Sequence, residues 1–147
     1  MQGFTPKISI IILSYNQAEY IQKAINSALT QTYQNLEIII SDNGSTDNTK
    51  QIIKSFLYDD RVIFLEYSEN QSISLRQNQA ANKASGEFIT LLYADDYYLP
   101  TKIEDQVRVF SALTDEWGVV HGPGMRLINE SGDLQAFPST RAHGMCL

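Results

Sequence analysis

The sequence contains little cysteine and few positive charges for its length of 147 residues. Its one cysteine, Cys146, excludes a disulfide framework within the chain and a cysteine-based metal site, and a reducing compartment fits best. Eleven Lys and Arg stand against 17 Asp and Glu, so the formal net charge is −6. Because proteins that bind DNA or RNA need clustered cations to displace counterions, we expect no nucleic-acid partner.

Long apolar segments and low-complexity tracts are also missing. The apolar run from Ile8 to Leu13 is far shorter than the ~18 residues of a membrane-spanning helix, and no basic region of a signal peptide precedes it. Hydrophobic residues make up 43% of the chain and charged residues 19%, a balance that disordered chains do not have. We therefore predict one globular domain that covers residues 1–147.

The chain repeats one alternation four times: a short β-branched run, a polar loop and a segment of helical period. This alternation indicates βαβ units and predicts an α/β fold, with a mainly parallel sheet flanked by helices. The strands are expected at about 7–13, 36–41, 61–66 and 87–93. The first helix is expected to bury the stripe formed by Ile21, Ala24, Ile25, Ala28 and Leu29.

Later helices and a short hairpin follow from the same kind of pattern. Ser45 or Thr46 is expected to cap a second helix that buries Ile52, Phe56 and Leu57. Ser74 and Gln77 have the spacing of a capping box for a third helix at about 75–84. A fourth helix presents Ile103, Val107, Phe110 and Leu113 on one face, and residues 130–133 resemble a hairpin turn between two short strands.

Unusual polar residues gather where the predicted strands end. In an open α/β sheet ligands bind at the carboxyl ends of the strands, so these side chains are expected to border one crevice. They follow strands one, two and four or lie in the first turns of the third helix: Ser14, Tyr15, Asn16, Asp42, Asn43, Asp95, Asp96, Arg76 and Asn78.

The acids of this crevice point to a bound cation. Carboxylates at the end of a rigid strand are good ligands for Mg²⁺ or Mn²⁺, and a phosphate would otherwise be repelled by them. A cation held by Asp95 and Asp96 would bridge to phosphate oxygens, and Arg76 would add positive charge. The sequence therefore predicts a divalent cation together with a phosphate-containing ligand.

Each of these residues also has a purely structural interpretation. Asp42 suits a turn in which its side chain accepts local N–H bonds, and Asp96 suits a cap of the turn that follows it. Arg76 and Asn78 would face solvent on an ordinary first helical turn. The two histidines, His121 and His143, have no partner at a spacing typical of metal ligands.

Three ordered motifs carry a resemblance to a known family. The stretches ISIIILSYNQAEYIQKAINSALTQTYQNLEIIISDNGSTDNT (8–49) and ENQSISLRQNQAANKASGEFITLLYADDYYLP (69–100) resemble the family 2 inverting glycosyltransferases of the GT-A fold, over roughly residues 5–130. The resemblance implies a Rossmann-like, nucleotide-sugar-binding domain, a Mn²⁺ or Mg²⁺ cofactor, and transfer of a sugar to an acceptor hydroxyl with inversion. A UDP-sugar is the favoured donor.

The resemblance also assigns roles to individual positions. Ser14 and Tyr15 match the loop that borders the nucleotide base, and Asp42 matches the acid that hydrogen-bonds the base. Arg76 matches the arginine of the donor-binding loop, and Asp95 matches the last Asp of the Asp-X-Asp metal motif.

Two positions depart from the family pattern. Leu13 stands where the family usually has Pro, which alters only the stiffness of the loop. Tyr93 stands where the family has the first Asp of the metal motif, and it lies on the same face of the strand as Asp95. Because a tyrosine has no carboxylate, Asp96 would assist Asp95 in binding the cation.

The catalytic base of the family lies well downstream of the metal motif. Only Glu130 and Asp133 follow here, both in the apparent hairpin turn, and neither is assigned that role. The resemblance therefore implies the donor-binding part of a truncated catalytic domain, with its base beyond residue 147. It further implies a glycan or lipid-linked acceptor, surface polysaccharide or cell-envelope glycan synthesis, and a cytoplasmic location, with peripheral association of the full-length protein at the inner face of the membrane.

Two other functions compete with this one. A non-catalytic nucleotide-sugar-binding or assembly module would keep the fold without the chemistry, which Tyr93 and the missing base favour. A response-regulator-like receiver domain would need a strand-end lysine beside a phosphorylatable Asp, whereas Lys83 lies in a predicted helix and Lys102 after a turn.

Overall fold

Strands and helices alternate along the computed structural model, which describes residues 4–113, 118–120, 125–127 and 134–136. The elements are β1 (Ile8–Ser14), α1 (Ile21–Leu29), β2 (Leu36–Asp42), α2 (Thr49–Lys54), β3 (Val62–Glu66), α3 (Ile73–Ala81), β4 (Phe88–Tyr93), α4 (Lys102–Ser111), β5 (Met125–Leu127) and β6 (Leu134–Ala136). The chain divides within α4, after Glu104, into two compact units.

The first unit contains a four-stranded sheet in the order β3-β2-β1-β4, and all its strands are parallel. Every residue of β1 and β2 is buried, whereas β3 and β4 at the two edges are partly exposed. Near-continuous apolar runs are expected of parallel strands that helices cover on both faces. The predicted α/β fold is confirmed.

Helices cover the sheet with the stripes that the sequence predicts. In α1, Ile21, Ala24, Ile25 and Ala28 are buried as predicted, whereas Leu29 at the end of the helix is only partly buried. On one face of the sheet, Ile11, Leu13 and Ile39 pack against Ala80 of α3. Because side chains alternate along a strand, Ile10 and Ile12 point to the opposite face, where they too are fully buried. Of the helices in the described ranges, none is long and apolar enough to cross a membrane.

The start and end of α2 differ from the prediction. Asn48 precedes the helix, and the Ser45 hydroxyl instead accepts a hydrogen bond from the backbone N–H of Asn16 at 2.8 Å. The helix ends at Lys54, and residues 55–58 form a turn. Leu57 therefore lies outside the helix and is 45% exposed. Phe56 is buried as predicted, whereas Ile53 is the fully buried isoleucine and Ile52 is only partly buried.

The cap of α3 lies two residues earlier than predicted. Ser72, whose backbone is extended, accepts a hydrogen bond from the backbone N–H of Leu75, and the helix runs from Ile73 to Ala81. This cap places Arg76 in the first turns of the helix. In the second unit β5 pairs with β6 in antiparallel register, whereas the predicted turn at 130–133 and both histidines lie outside the described residues.

A buried carboxylate joins the strands at the amino-terminal edge of the sheet. Glu37 in β2 accepts hydrogen bonds from the Ser9 hydroxyl at 2.5 Å and from the Ser85 N–H and hydroxyl at 2.6 Å each. The ammonium of Lys7 lies 2.6 Å from the same carboxylate. Burial alone would raise the pKa of Glu37, but these hydrogen bonds outweigh it and lower the pKa from 4.5 to about 2.

We expect Glu37→Gln to lower the free energy of unfolding by about 3 kcal/mol at neutral pH, because the amide leaves donors unpaired and removes the charge beside Lys7. The depressed pKa means that the carboxylate stabilises the fold above pH 4.5 and loses this effect as the pH falls toward about 2. In urea unfolding, the difference in free energy of unfolding between wild type and variant should therefore become smaller from pH 7 to pH 3. A difference that stays constant over this range would contradict the depressed pKa of Glu37.

Candidate functional site

A cleft of about 450 Å³ lies at the carboxyl ends of β1, β2 and β4. The strand ends form one part of its lining, and the segment before α3 with the first turns of that helix forms the other. The lining residues are Leu13, Ser14, Tyr15, Gln17, Ser41, Asn43, Asn70, Gln71, Ile73, Arg76, Tyr93, Ala94 and Asp95. All of them belong to the first compact unit.

The cleft brings together five of the nine residues that the sequence singles out. Ser14, Tyr15, Asn43, Arg76 and Asp95 line it, whereas Asn16, Asp42, Asn78 and Asp96 do not. Asn78 is exposed and follows Arg76 by two positions, which places it roughly 200° around the helix axis. Its side chain therefore projects away from the cleft.

Asp42 is completely buried at the end of β2, between two residues that line the cleft. Its Oδ2 accepts a hydrogen bond from the Ser45 N–H at 2.8 Å and lies 4.0 Å from the Lys50 ammonium. Its Oδ1 has no hydrogen-bond partner among the described residues. Asp42 thus has the local turn role and also keeps one acceptor oxygen unused.

Two buried hydroxyls in the cleft lining also lack partners. The Oγ atoms of Ser14 and Ser41 make no hydrogen bond within the part of the chain that the structure describes. A buried polar group without a partner costs about 1–3 kcal/mol, so such groups are rare unless a ligand or water completes them. Their place in the cleft lining suits a polar ligand.

Asn16 holds the loop after β1 against the loop after β2. Its backbone has a φ of 51°, a left-handed conformation that Asn tolerates better than most residues. Its Oδ1 accepts a hydrogen bond from the Thr46 N–H at 2.8 Å, and the next N–H, of Gln17, bonds the Thr49 hydroxyl at 2.9 Å. Asn16 therefore shapes the cleft without lining it.

Arg76 is 5% exposed, which overturns the solvent-facing interpretation of this position. Its Nε donates to Asn43 Oδ1 at 2.9 Å, one Nη to Gln79 Oε1 at 2.9 Å and the other Nη to the Glu69 carbonyl at 2.6 Å. The guanidinium also stacks 3.6 Å from the ring centroid of Tyr67. The described residues thus engage three of its five N–H donors and leave two for a ligand.

Among the described residues that line the cleft, Asp95 is the only one with a carboxylate. It makes no hydrogen bond or ion pair with the described residues, and Tyr93, 42% exposed, lines the cleft beside it. Asp96 is adjacent but outside the lining, and burial together with the charge of Asp95 raises its pKa. The described residues contain no group of three or more His, Cys, Asp or Glu that could hold a metal ion.

A hard divalent cation fits this donor set only if it takes further oxygen ligands from elsewhere. Mg²⁺ retains several waters and is commonly bound through one or two carboxylates plus substrate phosphates. Asp95 matches that requirement because its carboxylate has no other partner in the described chain. The chain therefore suits a cation that arrives with a phosphate-containing ligand.

Several lining residues have no sequence prediction of a binding role. Ser41 carries the clearest signal, because it is a polar residue in the otherwise apolar run of β2. Asn43 is placed at this edge by its position after β2, but its contacts with Gln71 and Arg76 join residues 28 and 33 positions apart. Such long-range contacts leave no local pattern.

Comparison with known proteins identifies the family. The model of "Glycosyl transferase family 2" matches residues 9–126. An uncharacterized glycosyltransferase of Rickettsia conorii is 40% identical over 126 residues, which are 86% of this chain and 20% of that protein. The Escherichia coli enzyme WfaP, named a UDP-Glc:alpha-D-GlcNAc-diphosphoundecaprenol beta-1,3-glucosyltransferase, is 41% identical over 101 residues, 69% of this chain and 40% of its own length.

Solved structures confirm the predicted GT-A fold. S. aureus TarS 1–349 superimposes with a TM-score of 0.68 and 27% identity, over 72% of this chain and 32% of that one, and its complexes with UDP and UDP-GlcNAc match at 24% identity. The mannosyltransferase PcManGT from Pyrobaculum calidifontis, in complex with GDP-Man and Mn²⁺, gives a TM-score of 0.65 at 23% identity, over 75% of this chain and 33% of that one.

These relatives and structures are longer than this chain. Among curated relatives that are 39–41% identical, the chain spans between 20% and 50% of the relative's length. The matched part nevertheless contains the parallel sheet, apart from Ile8 at its start, and every described residue that lines the cleft. Because the family model covers residues 9–126 and the Rickettsia conorii relative is 40% identical over 86% of the sequence, the chain belongs to glycosyl transferase family 2.

Proposed function

We propose that the cleft binds a nucleotide-diphosphate sugar, specifically a UDP-sugar, together with Mn²⁺ or Mg²⁺. The chain would be the donor-binding part of an inverting glycosyltransferase whose single catalytic domain includes residues 1–147. The observation that carries this proposal is the meeting of Asp95, which has no partner in the described chain, with buried Arg76 and the unpaired hydroxyls of Ser14 and Ser41.

Asp95 and Arg76 are assigned to the diphosphate. Asp95, assisted by Asp96, would hold the cation, and the two remaining N–H donors of Arg76 would bond phosphate oxygens. A divalent cation at this position would act as a Lewis acid that offsets negative charge on the departing diphosphate. The burial of Arg76 fixes its guanidinium in place, so little conformational entropy is lost when a phosphate binds.

Asp42 is assigned to the nucleotide base, with Ser14 and Tyr15 beside it. Its unused Oδ1 is an acceptor, so it favours a base that presents an N–H to it. Uracil has an N–H at N3, whereas N3 of cytosine carries no hydrogen. Because Asp42 is completely buried, this bond requires a rearrangement of the side chains that cover it. The TarS complex with UDP and the UDP-Glc named as donor of the E. coli relative support uracil.

The acceptor and the cellular setting are proposed from the relatives. The name of the E. coli relative supports a lipid-linked or glycan acceptor and a role in surface polysaccharide or cell-envelope glycan synthesis. Such an acceptor suits a cytoplasmic enzyme at the inner face of the membrane, with peripheral association of the full-length protein. The net charge of −6 supports the absence of a nucleic-acid partner.

We expect UDP with Mn²⁺ to raise the melting temperature of this chain more than UDP or Mn²⁺ alone. Ligand at 100 times its Kd stabilises the folded state by about 2.7 kcal/mol, which corresponds to roughly 5–10 °C for a domain of this size. Differential scanning fluorimetry with UDP, CDP, ADP and GDP, each with and without Mn²⁺ or Mg²⁺, measures both cation dependence and base choice. CDP provides the matched control, because it differs from UDP only at the pyrimidine edge.

If no nucleoside diphosphate gives a shift with either cation, the donor-binding proposal is wrong. If CDP stabilises the chain as well as UDP does, the role of Asp42 in reading the base is wrong while the phosphate assignment stands.

A non-catalytic module of the same fold is the second candidate function. Tyr93 favours it, because the cleft presents a phenol beside Asp95 where a metal motif would place another carboxylate. Asp95 is also the one acid among the described residues of the lining, and its assignment to the cation leaves none of those residues with a carboxylate for a general base. Nucleotide binding without sugar transfer by the full-length protein would support this module over the enzyme.

A further inference from the structure

One wall of the cleft is an irregular segment that buried side chains outside it hold in place. Residues 67–72, which we call the wall segment, connect β3 to α3 without helix or strand, and they contribute Asn70 and Gln71 to the cleft lining. Irregular segments have no repeating backbone ladder to fix them, so their position depends on specific side-chain contacts. Asn43, at the end of β2, supplies such contacts.

Asn43 is 7% exposed and binds the wall segment with both ends of its amide. Its Oδ1 accepts from the Gln71 N–H at 2.9 Å and from Arg76 Nε at 2.9 Å. Its Nδ2 donates to the Gln71 carbonyl at 2.8 Å and to Asn70 Oδ1 at 3.1 Å. Two acceptor and two donor positions are all used, which is the full capacity of the side chain.

Arg76 reinforces the same arrangement from α3. It shares the Oδ1 of Asn43 with Gln71, bonds the Glu69 carbonyl at 2.6 Å and stacks on Tyr67. The wall segment is therefore held at its start by Arg76 and at its end by Asn43. Both anchors are buried, so their hydrogen bonds are protected from competition with water.

We infer that Asn43 is a positioning residue that sets the shape of the cleft wall and thereby the affinity for the nucleoside diphosphate. This inference rests on the proposed function only for the identity of the ligand. An amide is required at position 43 because the side chain must accept from Arg76 and donate to the Gln71 carbonyl at once. A carboxylate of the same size accepts but does not donate, so it would face the backbone carbonyl of Gln71 with a repelling oxygen.

The substitution Asn43→Asp separates positioning from folding. The new carboxylate keeps the bonds to Gln71 N–H and Arg76, and it gains a charge-assisted bond to the guanidinium. The overall fold should therefore survive while the wall segment shifts away from β2. A purely structural role would instead predict a loss of stability with unchanged affinity in the fraction that remains folded.

The test measures three quantities on wild type and Asn43→Asp. We expect a melting temperature within a few degrees of wild type, amide hydrogen exchange in residues 68–72 at least about 10-fold faster, and a Kd for UDP with Mn²⁺ raised about 10-fold or more. Asn26→Asp is the matched control, because it adds the same charge at an exposed position of α1, and it should change none of the three.

Arg76→Lys provides a second variant that does not depend on the first one folding. Lysine keeps the charge but cannot bond Asn43 and Glu69 together while stacking on Tyr67, so exchange in residues 68–72 should again increase. Wild-type exchange rates and wild-type affinity in Asn43→Asp would overturn the inference. If wild type itself binds no UDP, the proposed function fails, and the exchange rates still decide whether Asn43 holds the wall segment.

Discussion

Asp95→Asn is expected to abolish the stabilisation that UDP and Mn²⁺ confer together on the wild-type chain. Asparagine keeps the size of the side chain and one acceptor oxygen, but it removes the negative charge that a hard divalent cation requires. Since Asp95 is the one carboxylate among the lining residues that the structure describes, no other side chain of that set can replace it. We expect the affinity for UDP with Mn²⁺ to fall about 100-fold, or about 2.8 kcal/mol, by isothermal titration calorimetry.

Two comparisons make this result specific. Asp60→Asn removes the same charge from an exposed turn away from the cleft, and it should leave the affinity unchanged. Binding of UDP without a cation should be no weaker in Asp95→Asn than in wild type, because the repulsion between carboxylate and diphosphate is lost. A variant that keeps the full cation-dependent gain would show that Asp95 does not hold the cation.

Tyr93→Asp extends the same argument in the opposite direction. It places a second carboxylate in the cleft beside Asp95, and both belong to the same lining. A site with two carboxylates should bind Mn²⁺ measurably without nucleotide, whereas wild type should need the diphosphate to complete its ligands. This contrast tests whether Tyr93 is the reason that the described chain lacks a preformed metal cluster.

The fold follows from local patterns to a large extent. The runs ISIIILS and LEIIISD are buried on both faces of the sheet, and such runs predict central parallel strands. The i, i+3, i+4 stripe of α1 is buried as its period requires. The exception at Leu57 has a physical cause: a helical period in the sequence does not specify where the helix stops, and α2 ends at Lys54.

The site is less predictable because its contacts are long-range. Position after a strand is enough to bring Ser14, Tyr15 and Asp95 to one edge, since parallel strands end together. Nothing near Arg76 in the sequence reveals that its partner is Asn43, 33 positions earlier. The sequence likewise does not reveal that the side-chain oxygens of Ser14, Ser41 and Asp42 are buried without a hydrogen-bond partner in the described chain.

Gly44 lies where the loop after β2 meets the backbone of the wall segment. Its φ of 78° is a left-handed conformation that costs a residue with a Cβ roughly 1–2 kcal/mol. A Cβ on Gly44 would lie 2.6 Å from the carbonyl carbon of Glu69 and 2.8 Å from the amide nitrogen of Asn70. Both are backbone atoms, so the clash cannot be relieved by turning a side chain, and one of the two loops must move.

We therefore expect Gly44→Ala to lower the free energy of unfolding by about 3 kcal/mol, the sum of the backbone strain and the overpacking, and the melting temperature by roughly 10 °C. Because the displaced atoms belong to the wall segment, affinity for UDP with Mn²⁺ should fall as well. Gly118→Ala is the matched control, since a Cβ there meets no atom of the described residues within 4 Å, and its effect should stay within about 0.5 kcal/mol. Equal stability of both variants in urea unfolding would show that the two loops are not in contact in solution, and the positioning of the wall segment by β2 would then have to be abandoned.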